Sequence, residues 1–352
     1  MRRVSAYLGG VVFLAALGWC LDLPVEGRAQ TRGAGTPVAG DTPLAIPTEA
    51  TEYRGILDVT DADARDDVWF VLDGRASRVH VLGRETGVTT SFGRGGSGEG
   101  ELARPSALVL HADTVVVVER LGGLVHLFDT SGRHLADRSF QLAECRIPVV
   151  SDAVSTPDGL VFLVTCPGAR LNTKAFAALE VTGANARVLA STASRPTPRD
   201  RIDPFFAPVL ASHRDGIAFG AAGDACLSVV DLSGVTVGEE CATWLERLPL
   251  PAAERAQLAR LRVRLATLAA RLESADALPP FDALFRVGAS KYAYRAPTRL
   301  GGASRQLRIE PGSLAGGTRL PVARFAFSSP GTALLAWEGV DGLRIARYDL
   351  PK

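Results

Sequence analysis

Short apolar runs rich in β-branched residues recur along the chain, and each run follows a polar turn. Four of them are clear, at residues 67–72, 113–118, 158–163 and 215–219. The aspartates that open these runs are 46, 45 and 57 residues apart. Runs such as 115–118 are apolar at every position, which is typical of strands buried on both faces between stacked sheets. The pattern therefore predicts a β-protein built from repeats.

A second turn signal lies in the later part of each repeat. Glycines at Gly87, Gly132, Gly183 and Gly234 follow the four runs, at steps of 45, 51 and 51 residues. Each repeat then contains four short strands joined by turns. Four-stranded units of about 40 to 50 residues are the sequence signature of a β-propeller, and the lack of a 3.6-residue period in them excludes a solenoid of helices.

The number of blades follows from the weaker repeats after residue 250. Candidate strands at 281–287, 291–295 and 306–310 predict a fifth unit, and those at 322–328, 333–337 and 343–349 predict a sixth that is one strand short. Residues 44–59, near the N-terminus, favour a β-strand and belong to none of these repeats. We therefore expect an N-terminal strand to complete the last blade and remove the open edges. We predict an all-β, six-bladed propeller over residues 44–352, with seven blades as the weaker alternative.

One segment, residues 252–273, departs from the β pattern. Its leucines stand three and four positions apart, which gives one apolar stripe on a helix. Prolines precede the segment and follow it. We predict a helical insertion packed across one face of the ring. A docking helix for a partner, a short coiled coil and a helix on a membrane surface remain alternatives.

The N-terminus has the three parts of an export signal. Arg2 and Arg3 precede an uncharged stretch at 4–21, and small residues lie at positions −3 and −1 of a cleavage site after Ala29. We predict a signal peptide at 1–29 and a flexible linker at 30–43. A retained anchor is an alternative, and a lipoprotein at Cys20 is disfavoured because a bulky tryptophan precedes it.

Composition and charge exclude one class of function. The chain has 39 basic and 38 acidic side chains, a formal net charge of +1. A dedicated nucleic-acid-binding protein usually shows a strongly basic balance or a basic stripe. We therefore expect no nucleic-acid partner and, apart from a leader that stays uncleaved, no integral membrane domain.

Four cysteines remain after removal of the leader, and an even number in an exported chain favours disulfides. A hairpin with a two-residue turn at 233–234 would place Cys226 opposite Cys241, where a bridge can form. Cys145 precedes the candidate strand 148–155, and Cys166 directly follows the candidate strand 160–165. These two ends are neighbours in an antiparallel pair, which makes the two cysteines the second candidate bridge. Buried free thiols are the alternative.

The segment 91–105 has a glycine-rich pattern formed by Phe92, Gly93, Gly96, Gly98, Gly100, Glu101, Leu102 and Pro105. This pattern resembles the inter-blade motif of NHL-like six-bladed β-propellers, a type that includes exported bacterial proteins. The resemblance implies that the glycines turn the chain between two blades and that Phe92 is a wedge between them. Segment 125–133 also resembles a third strand and turn of this family, and segment 337–348 its final blade. Exported relatives of this kind carry a helical insertion late in the ring.

Candidate chemistry is sparse. No nucleophile-elbow, zinc-protease, P-loop or dinucleotide motif occurs. Some six-bladed propellers are calcium-dependent lactonases, and the oxygen ligands that such a channel site needs have candidates here in Asp58, Asp61, Asp152 and Asp282. Asp152 is the best inner-strand carboxylate, although none of the four has calcium-loop spacing.

We therefore expect a monomeric, exported binding or scaffolding module, periplasmic or extracellular, with no catalytic residues and no cofactor. Its partner would be a protein or a small ligand on a propeller face. A calcium-dependent hydrolase or lyase and a structural cell-envelope protein are the alternatives.

Overall fold

The structure is a computed structural model, and it describes the parts of the chain that form the propeller. These are residues 51–53, 55–83, 87–143, 145–167, 173–180, 186–192, 208–221, 226–241, 283–286, 292–297, 305–309, 323–329, 331–338 and 343–350. All of them belong to one compact unit, residues 40–352. The predicted leader, linker and helical insertion at 252–273 lie outside the described residues.

The described strands form antiparallel sheets that follow one another along the chain. Blade 1 consists of Asp61–Arg65 (β2), Val68–Asp73 (β3), Arg78–Gly83 (β4) and Gly87–Phe92 (β5). Blade 2 consists of Pro105–His111 (β6), Thr114–Glu119 (β7), Leu124–Asp129 (β8) and His134–Ser139 (β9). Blade 3 consists of Val149–Thr156 (β10), Gly159–Pro167 (β11), Thr173–Glu180 (β12) and Ala186–Ser191 (β13).

The second half of the ring is built in the same way. Blade 4 consists of Pro208–His213 (β14), Gly216–Ala221 (β15), Cys226–Val230 (β16) and Thr236–Cys241 (β17). A three-stranded sheet follows, with Ala283–Arg286 (β18), Tyr292–Pro297 (β19) and Arg305–Ile309 (β20). The closing blade consists of Phe325–Ser329 (β21), Thr332–Glu338 (β22), Leu343–Asp349 (β23) and the N-terminal strand Thr51–Tyr53 (β1).

The hydrophobic core lies between neighbouring sheets. Phe70 and Leu72 of blade 1 pack with Leu108 and Val115 of blade 2 in one buried cluster. The second strand of blade 2 is buried at every position after its first residue, whereas the outer strand β9 is half-buried or exposed throughout. Apolar residues on both faces of a strand therefore serve two inter-sheet layers at once, as the sequence pattern predicted.

The ring is closed by the N-terminal strand. β1 pairs antiparallel with β23, with Thr51 opposite Ile345 and Tyr53 opposite Leu343. The closing blade also packs on blade 1, where Trp69 and Val71 share a buried cluster with Leu334. The predicted closure is confirmed. It removes the edge that β23 would otherwise expose.

The inner strands are neighbours in the cyclic order β2, β6, β10, β14, β18, β21 and back to β2. Five sheets have four strands, and the sheet β18–β20 has three described strands. The structure therefore shows an all-β propeller with five complete blades. The predicted count of six complete blades is not reached in the described residues.

Both predicted disulfides are present. Cys226 and Cys241 are directly opposite each other in the β16–β17 pair, with 4.0 Å between their Cα atoms. Cys145 and Cys166 join the connection before β10 to β11, at a Cα–Cα distance of 5.5 Å. Disulfides are typical of proteins that fold in an oxidising compartment, in agreement with export.

The hairpin in blade 4 corrects one detail of the prediction. The turn is not a two-residue turn, because the N–H of Asp231 donates to the carbonyl of Val235 and that of Gly234 donates to Asp231. This longer turn shifts the pairing by one residue, and a β-bulge between Val229 and Val230 shifts it back. The predicted register at the cysteines holds because the two irregularities cancel.

Among the described residues, no helix has the length and apolar character needed to cross a membrane.

Candidate ligand-binding cavity

The inner strands surround a cavity at the centre of the ring. Its volume is about 920 Å³, and β2, β6, β10, β14, β18 and β21 all contribute residues to its wall. Ligand sites in proteins are commonly concave and of roughly 300 to 1,000 Å³. The cavity is therefore large enough for a small organic ligand.

Two carboxylates of blade 1 line this cavity. Asp61 and Asp63 alternate with alanines on β2, so the period of two places both carboxylates on one face of the strand. Oδ1 of each accepts the N–H of the following alanine, at 2.8 Å for Asp61 and 2.7 Å for Asp63. Oδ2 of each accepts an N–H of β6, from Leu108 at 2.7 Å and from Leu110 at 2.9 Å. These bonds join blades 1 and 2 and fix the two carboxylates in position.

A third carboxylate, Asp152 of β10, also lines the cavity. Its Oδ1 accepts the N–H of Ala153 at 2.8 Å, which repeats the local arrangement of β2. Burial raises the pKa of Asp152 to about 6, although the N–H of Ala153 and the positive charge of Arg295 act in the opposite direction.

The two carboxyl groups of β2 also have raised pKa values. Burial, followed by the negative charge of Asp152, raises the pKa of Asp61 well above its usual value. Burial likewise raises the pKa of Asp63. The physical cause is that the protein around the cavity replaces the water that would otherwise solvate these charges. A bound positive charge or hydrogen-bond donor would restore that solvation.

Hydroxyl groups complete the polar part of the wall. Ser155 lies 2.8 Å from the Nδ1 atom of His111, and Ser329 donates to the carbonyl of Ala64 at 2.9 Å. Each contact crosses from one sheet to the next. The wall therefore offers carboxylates and hydroxyls that neighbouring sheets hold in place.

The turns between the first and second strands of the blades lie at one end of the cavity. Arg65 and Asp215, at two of these turns, are part of the lining. Arg65 pairs with Asp113 at 3.0 Å, and Arg214 pairs with Asp215 at 3.1 Å. Asp113 and Asp215 are two of the aspartates that open the apolar runs of the repeat.

The described carboxylates that line the cavity are not gathered around one point. Among the described residues, no three carboxylate or histidine donors of the cavity lie within 4.8 Å of one another. The group in the described residues that meets this distance contains Cys226, Glu239 and Cys241, and its two sulfurs form a disulfide.

Part of this site was predicted from the sequence. Of the four candidate carboxylates, Asp61 and Asp152 line the same cavity. Asp58 instead accepts the hydroxyl of Thr60 at 3.4 Å, and Asp282 lies outside the described residues. Asp63 was not predicted, although the alternation of aspartate and alanine at 61–64 indicates two carboxylates on one strand face.

The inter-blade segment forms the connection from β5 to β6. Phe92 packs between blades 1 and 2, with its ring centroid 5.1 Å from that of Phe128. Leu102 is fully buried in the same layer. Glu101 accepts the N–H of Gly98 at 2.8 Å and pairs with Arg94 at 2.6 Å, and these contacts lower its pKa.

Two glycines of this connection are required by the backbone and by space. Gly93 has φ of 76° and Gly100 has φ of 66°, a region that residues with a Cβ rarely adopt. A Cβ on Gly100 would lie 2.9 Å from the ring of His134. A side chain at either position would strain the backbone, and at Gly100 it would also clash with His134.

No protein-family model and no curated protein matches the chain. Among solved structures, a Bacteroides fragilis protein assigned as exported aligns with a TM-score of 0.49 at 8% identity, over 85% of this chain and 83% of its own. A member of the duf4221 family from Bacteroides vulgatus aligns with a TM-score of 0.49 at 9% identity, over 86% of this chain and 98% of its own. The β-propeller domain of Myceliophteria thermophila Cps50 aligns with a TM-score of 0.42 at 14% identity, over 85% and 99%. Likenesses of this size carry no argument about function, so the propeller assignment rests on the sheets described above.

Proposed function

We propose that this protein is an exported, non-catalytic β-propeller that binds a small ligand in its central cavity. The observation that carries the proposal is the cavity of about 920 Å³, into which three carboxylates project from β2 and β10. Backbone N–H groups hold these carboxylates in place before any ligand arrives. A site that is already ordered loses little conformational entropy when it binds.

The proposed ligand carries a positive charge or several hydrogen-bond donors. The raised pKa values of Asp61, Asp63 and Asp152 mean that the negative charges in the cavity lack sufficient solvation or compensation. A cationic group would supply that compensation, and the hydroxyls of the wall would accept or donate the remaining hydrogen bonds.

The proposed propeller has six blades and is NHL-like. Support for the sixth blade comes from β18, because Leu284 and Phe285 of this strand line the same cavity as the inner strands of the five complete blades. Support for the NHL-like assignment comes from the connection 93–104, whose glycines and Glu101 make the contacts described above. The two disulfides support export, to the periplasm or the cell exterior.

The test is calorimetric titration of the oxidised mature protein with a panel of amines, guanidines, neutral sugars and carboxylates. We expect the cationic members to bind, and we expect Asp152→Asn to weaken binding at neutral pH. Asp129→Asn is the matched control, because Asp129 lies in the β8–β9 turn, outside the cavity lining. If no member of the panel binds, or if both variants bind equally well, the proposal fails.

Calcium is a separate arm of the same experiment. Stoichiometric calcium binding that Asp152→Asn abolishes, together with hydrolysis of a lactone, would replace the binding-module proposal with the calcium-dependent hydrolase alternative.

A further inference from the structure

Four of the eight exposed large apolar side chains among the described residues lie at the end of the ring where the chain enters its inner strands. Ile147 is 56% exposed, Leu57 53%, Leu121 45% and Leu124 36%. Leu57 and Ile147 precede the inner strands β2 and β10, and Leu121 and Leu124 follow the second strand of blade 2. In an antiparallel blade these two kinds of connection lie at the same end of the sheet, so the four side chains share one end of blades 1 to 3.

Backbone hydrogen bonds make this surface continuous from blade 2 to blade 3. The N–H of Arg120 donates to the carbonyl of Arg104 at 2.9 Å, and the N–H of Gly122 donates to the carbonyl of Pro148 at 3.1 Å. Leu121 also pairs with Val149 in an isolated bridge. Leu121 and Ile147 therefore lie on adjoining connections that are held together.

Four exposed arginines stand among these apolar side chains. They are Arg75, Arg104, Arg120 and Arg146. With the described residues, the structure gives none of these four guanidinium groups an ion pair, a hydrogen bond or a ring contact. We call the eight residues Leu57, Arg75, Arg104, Arg120, Leu121, Leu124, Arg146 and Ile147 the arginine–leucine face.

The described carboxylates near this end form no ion pair with the arginines of the arginine–leucine face. Asp73 and Glu119 are buried and accept backbone N–H groups. Glu101 pairs with Arg94, the half-buried Asp58 accepts the hydroxyl of Thr60, and the exposed Glu99 lies 3.6 Å from His134.

The charges at the opposite end of the ring are arranged differently. The exposed turn residues Asp67, Asp113 and Asp215 lie there, and they pair with Arg347, Arg65 and Arg214. The arginines at that end therefore have acidic partners, unlike those of the arginine–leucine face.

We propose that the arginine–leucine face docks onto an anionic lipid surface. A lipid bilayer fits better than an acidic protein for two reasons. The apolar side chains are spread over three blades, which suits a planar partner. Arg120 and Arg146 each directly precede an exposed apolar residue, so charge and apolar surface occur together, as at an interface of phosphate headgroups and acyl chains. A guanidinium group can donate two parallel hydrogen bonds to one phosphate group, while leucine and isoleucine side chains reach the apolar layer beneath the headgroups. The proposal does not depend on the ligand of the central cavity.

The experiment measures co-sedimentation of the oxidised mature protein with vesicles of phosphatidylcholine, alone or mixed with phosphatidylglycerol. We expect binding to the mixed vesicles and weak binding to phosphatidylcholine alone. Raising the salt concentration should weaken the binding, because added ions screen exposed charges. Each arginine near an anionic surface contributes roughly a fivefold gain in affinity, so the variant R104Q/R120Q/R146Q should lose about a hundredfold.

The matched control removes the same charge from the opposite end. R133Q/R187Q/R214Q changes three arginines whose guanidinium groups contact Asp129, the 232–233 turn and Asp215. This variant should bind the mixed vesicles nearly as well as the wild type, and L121S/I147S should bind several-fold less. Near-ultraviolet circular dichroism of each variant, compared with the wild type, separates lost binding from lost folding.

Three outcomes would overturn the proposal. Equal binding to both vesicle types would show that charge does not matter, and equal losses in the two arginine variants would show that only net charge matters. No binding to mixed vesicles, with saturable binding of an acidic peptide that R104Q/R120Q/R146Q abolishes, would assign the face to a protein partner instead.

Discussion

Nδ1 of His126 lies 2.7 Å from Oδ1 of Asp137, in the layer between blades 1 and 2. On the opposite side of the imidazole, Nε2 of His126 is 3.3 Å from Oε1 of Glu119. This distance is short enough for an ion pair, but the two groups are not aligned as a hydrogen bond. The His126 side chain is only 1% exposed. Both carboxylates also hold the inter-blade connection, because Glu119 accepts the N–H of Ala103 at 2.8 Å and Asp137 that of Gly100 at 3.2 Å.

The same arrangement occurs one repeat earlier with one difference. His80 lies 46 residues before His126, and its Nε2 is 3.6 Å from the buried Asp73. Its Nδ1, however, meets the hydroxyl of Ser91 at 2.8 Å, at the position that Asp137 occupies in the next repeat. Blade 2 therefore encloses its histidine between two carboxylates, whereas the histidine of blade 1 lies between one carboxylate and one hydroxyl group.

We expect the pair of carboxylates to make stability depend on pH through His126. Burial by itself lowers the pKa of His126, but the ion-pair contact with Glu119 and the hydrogen bond and charge of Asp137 together outweigh burial and raise it. A raised folded-state pKa stabilises the protein fully below the unfolded value of about 6.5, and this contribution is lost as the pH rises through the folded value. Urea unfolding between about pH 6 and pH 8 should therefore show that the free energy of unfolding of the wild type falls as the pH rises.

Two variants check the assignment of this pH dependence. Asp137→Ser reproduces the arrangement of blade 1 and should flatten the profile, and His126→Gln should do the same. Hydrogen exchange at the N–H groups of Gly100 and Ala103 should lose protection over the same pH range. A slope that survives both substitutions would assign the effect to another group.

Asp152 should show a pH dependence in the same direction for a different reason. Because its folded-state pKa is raised to about 6, the folded protein binds more protons than the unfolded chain between about pH 4 and pH 6. Stability therefore falls as the pH rises through this range. We expect Asp152→Asn to raise the free energy of unfolding at pH 7.5 by about 1 to 3 kcal/mol and to have little effect at pH 4.

Asp129 is the control with the opposite sign. Hydrogen bonds from Ser131 and Arg133 lower its pKa, so its contribution to stability is present at neutral pH and lost on acidification. Asp129→Asn should destabilise the protein at pH 7.5 and have a smaller effect near pH 2. Thermal melting at both pH values distinguishes the two carboxylates, and a destabilising Asp152→Asn at pH 7.5 would contradict the electrostatic account of the cavity.

The two disulfides should differ in the stability that they provide. Cys145 and Cys166 are 6% and 8% exposed in the core between blades 2 and 3, while Cys226 and Cys241 are half-buried. Closing loops of this length stabilises by about 3 kcal/mol in each case, and the buried pair also contributes packing. We expect C145A/C166A to lose more in guanidinium unfolding than C226A/C241A, with the reduced wild type as the reference. Equal losses would mean that packing at Cys145 and Cys166 contributes little.

Removal of β1 should open the ring. Without residues 51–53, β23 loses the partner strand that pairs with Leu343, Arg344 and Ile345. An exposed strand edge is a template for pairing with another chain. We expect a protein that begins at residue 54 to associate as its concentration rises, measured by size-exclusion chromatography with light scattering. A stable monomer with unchanged melting would show that β1 is not needed for closure.

Local pattern was sufficient to predict the parts of this protein that depend on neighbours along the chain. The apolar run at 115–118 predicted a strand buried on both faces, and the spacing of Cys226 and Cys241 predicted their register. Each depends on strand geometry or on a turn within one repeat, which a period of two residues and a few turn residues encode. The turn at 231–235 was missed because a bulge compensates for it and leaves no trace in the spacing of the cysteines.

Only the tertiary structure decided what the centre of the ring contains. Asp61 and Asp152 are 91 residues apart and belong to different blades, so no local pattern shows that they line one cavity or that each raises the cost of the other's charge. The enclosure of His126 by Glu119 and Asp137 likewise depends on three strands packed side by side. The sequence by itself determined where strands form and which faces are buried. The closing of those strands into a ring determined which charges meet, because burial and electrostatic coupling depend on distance in space.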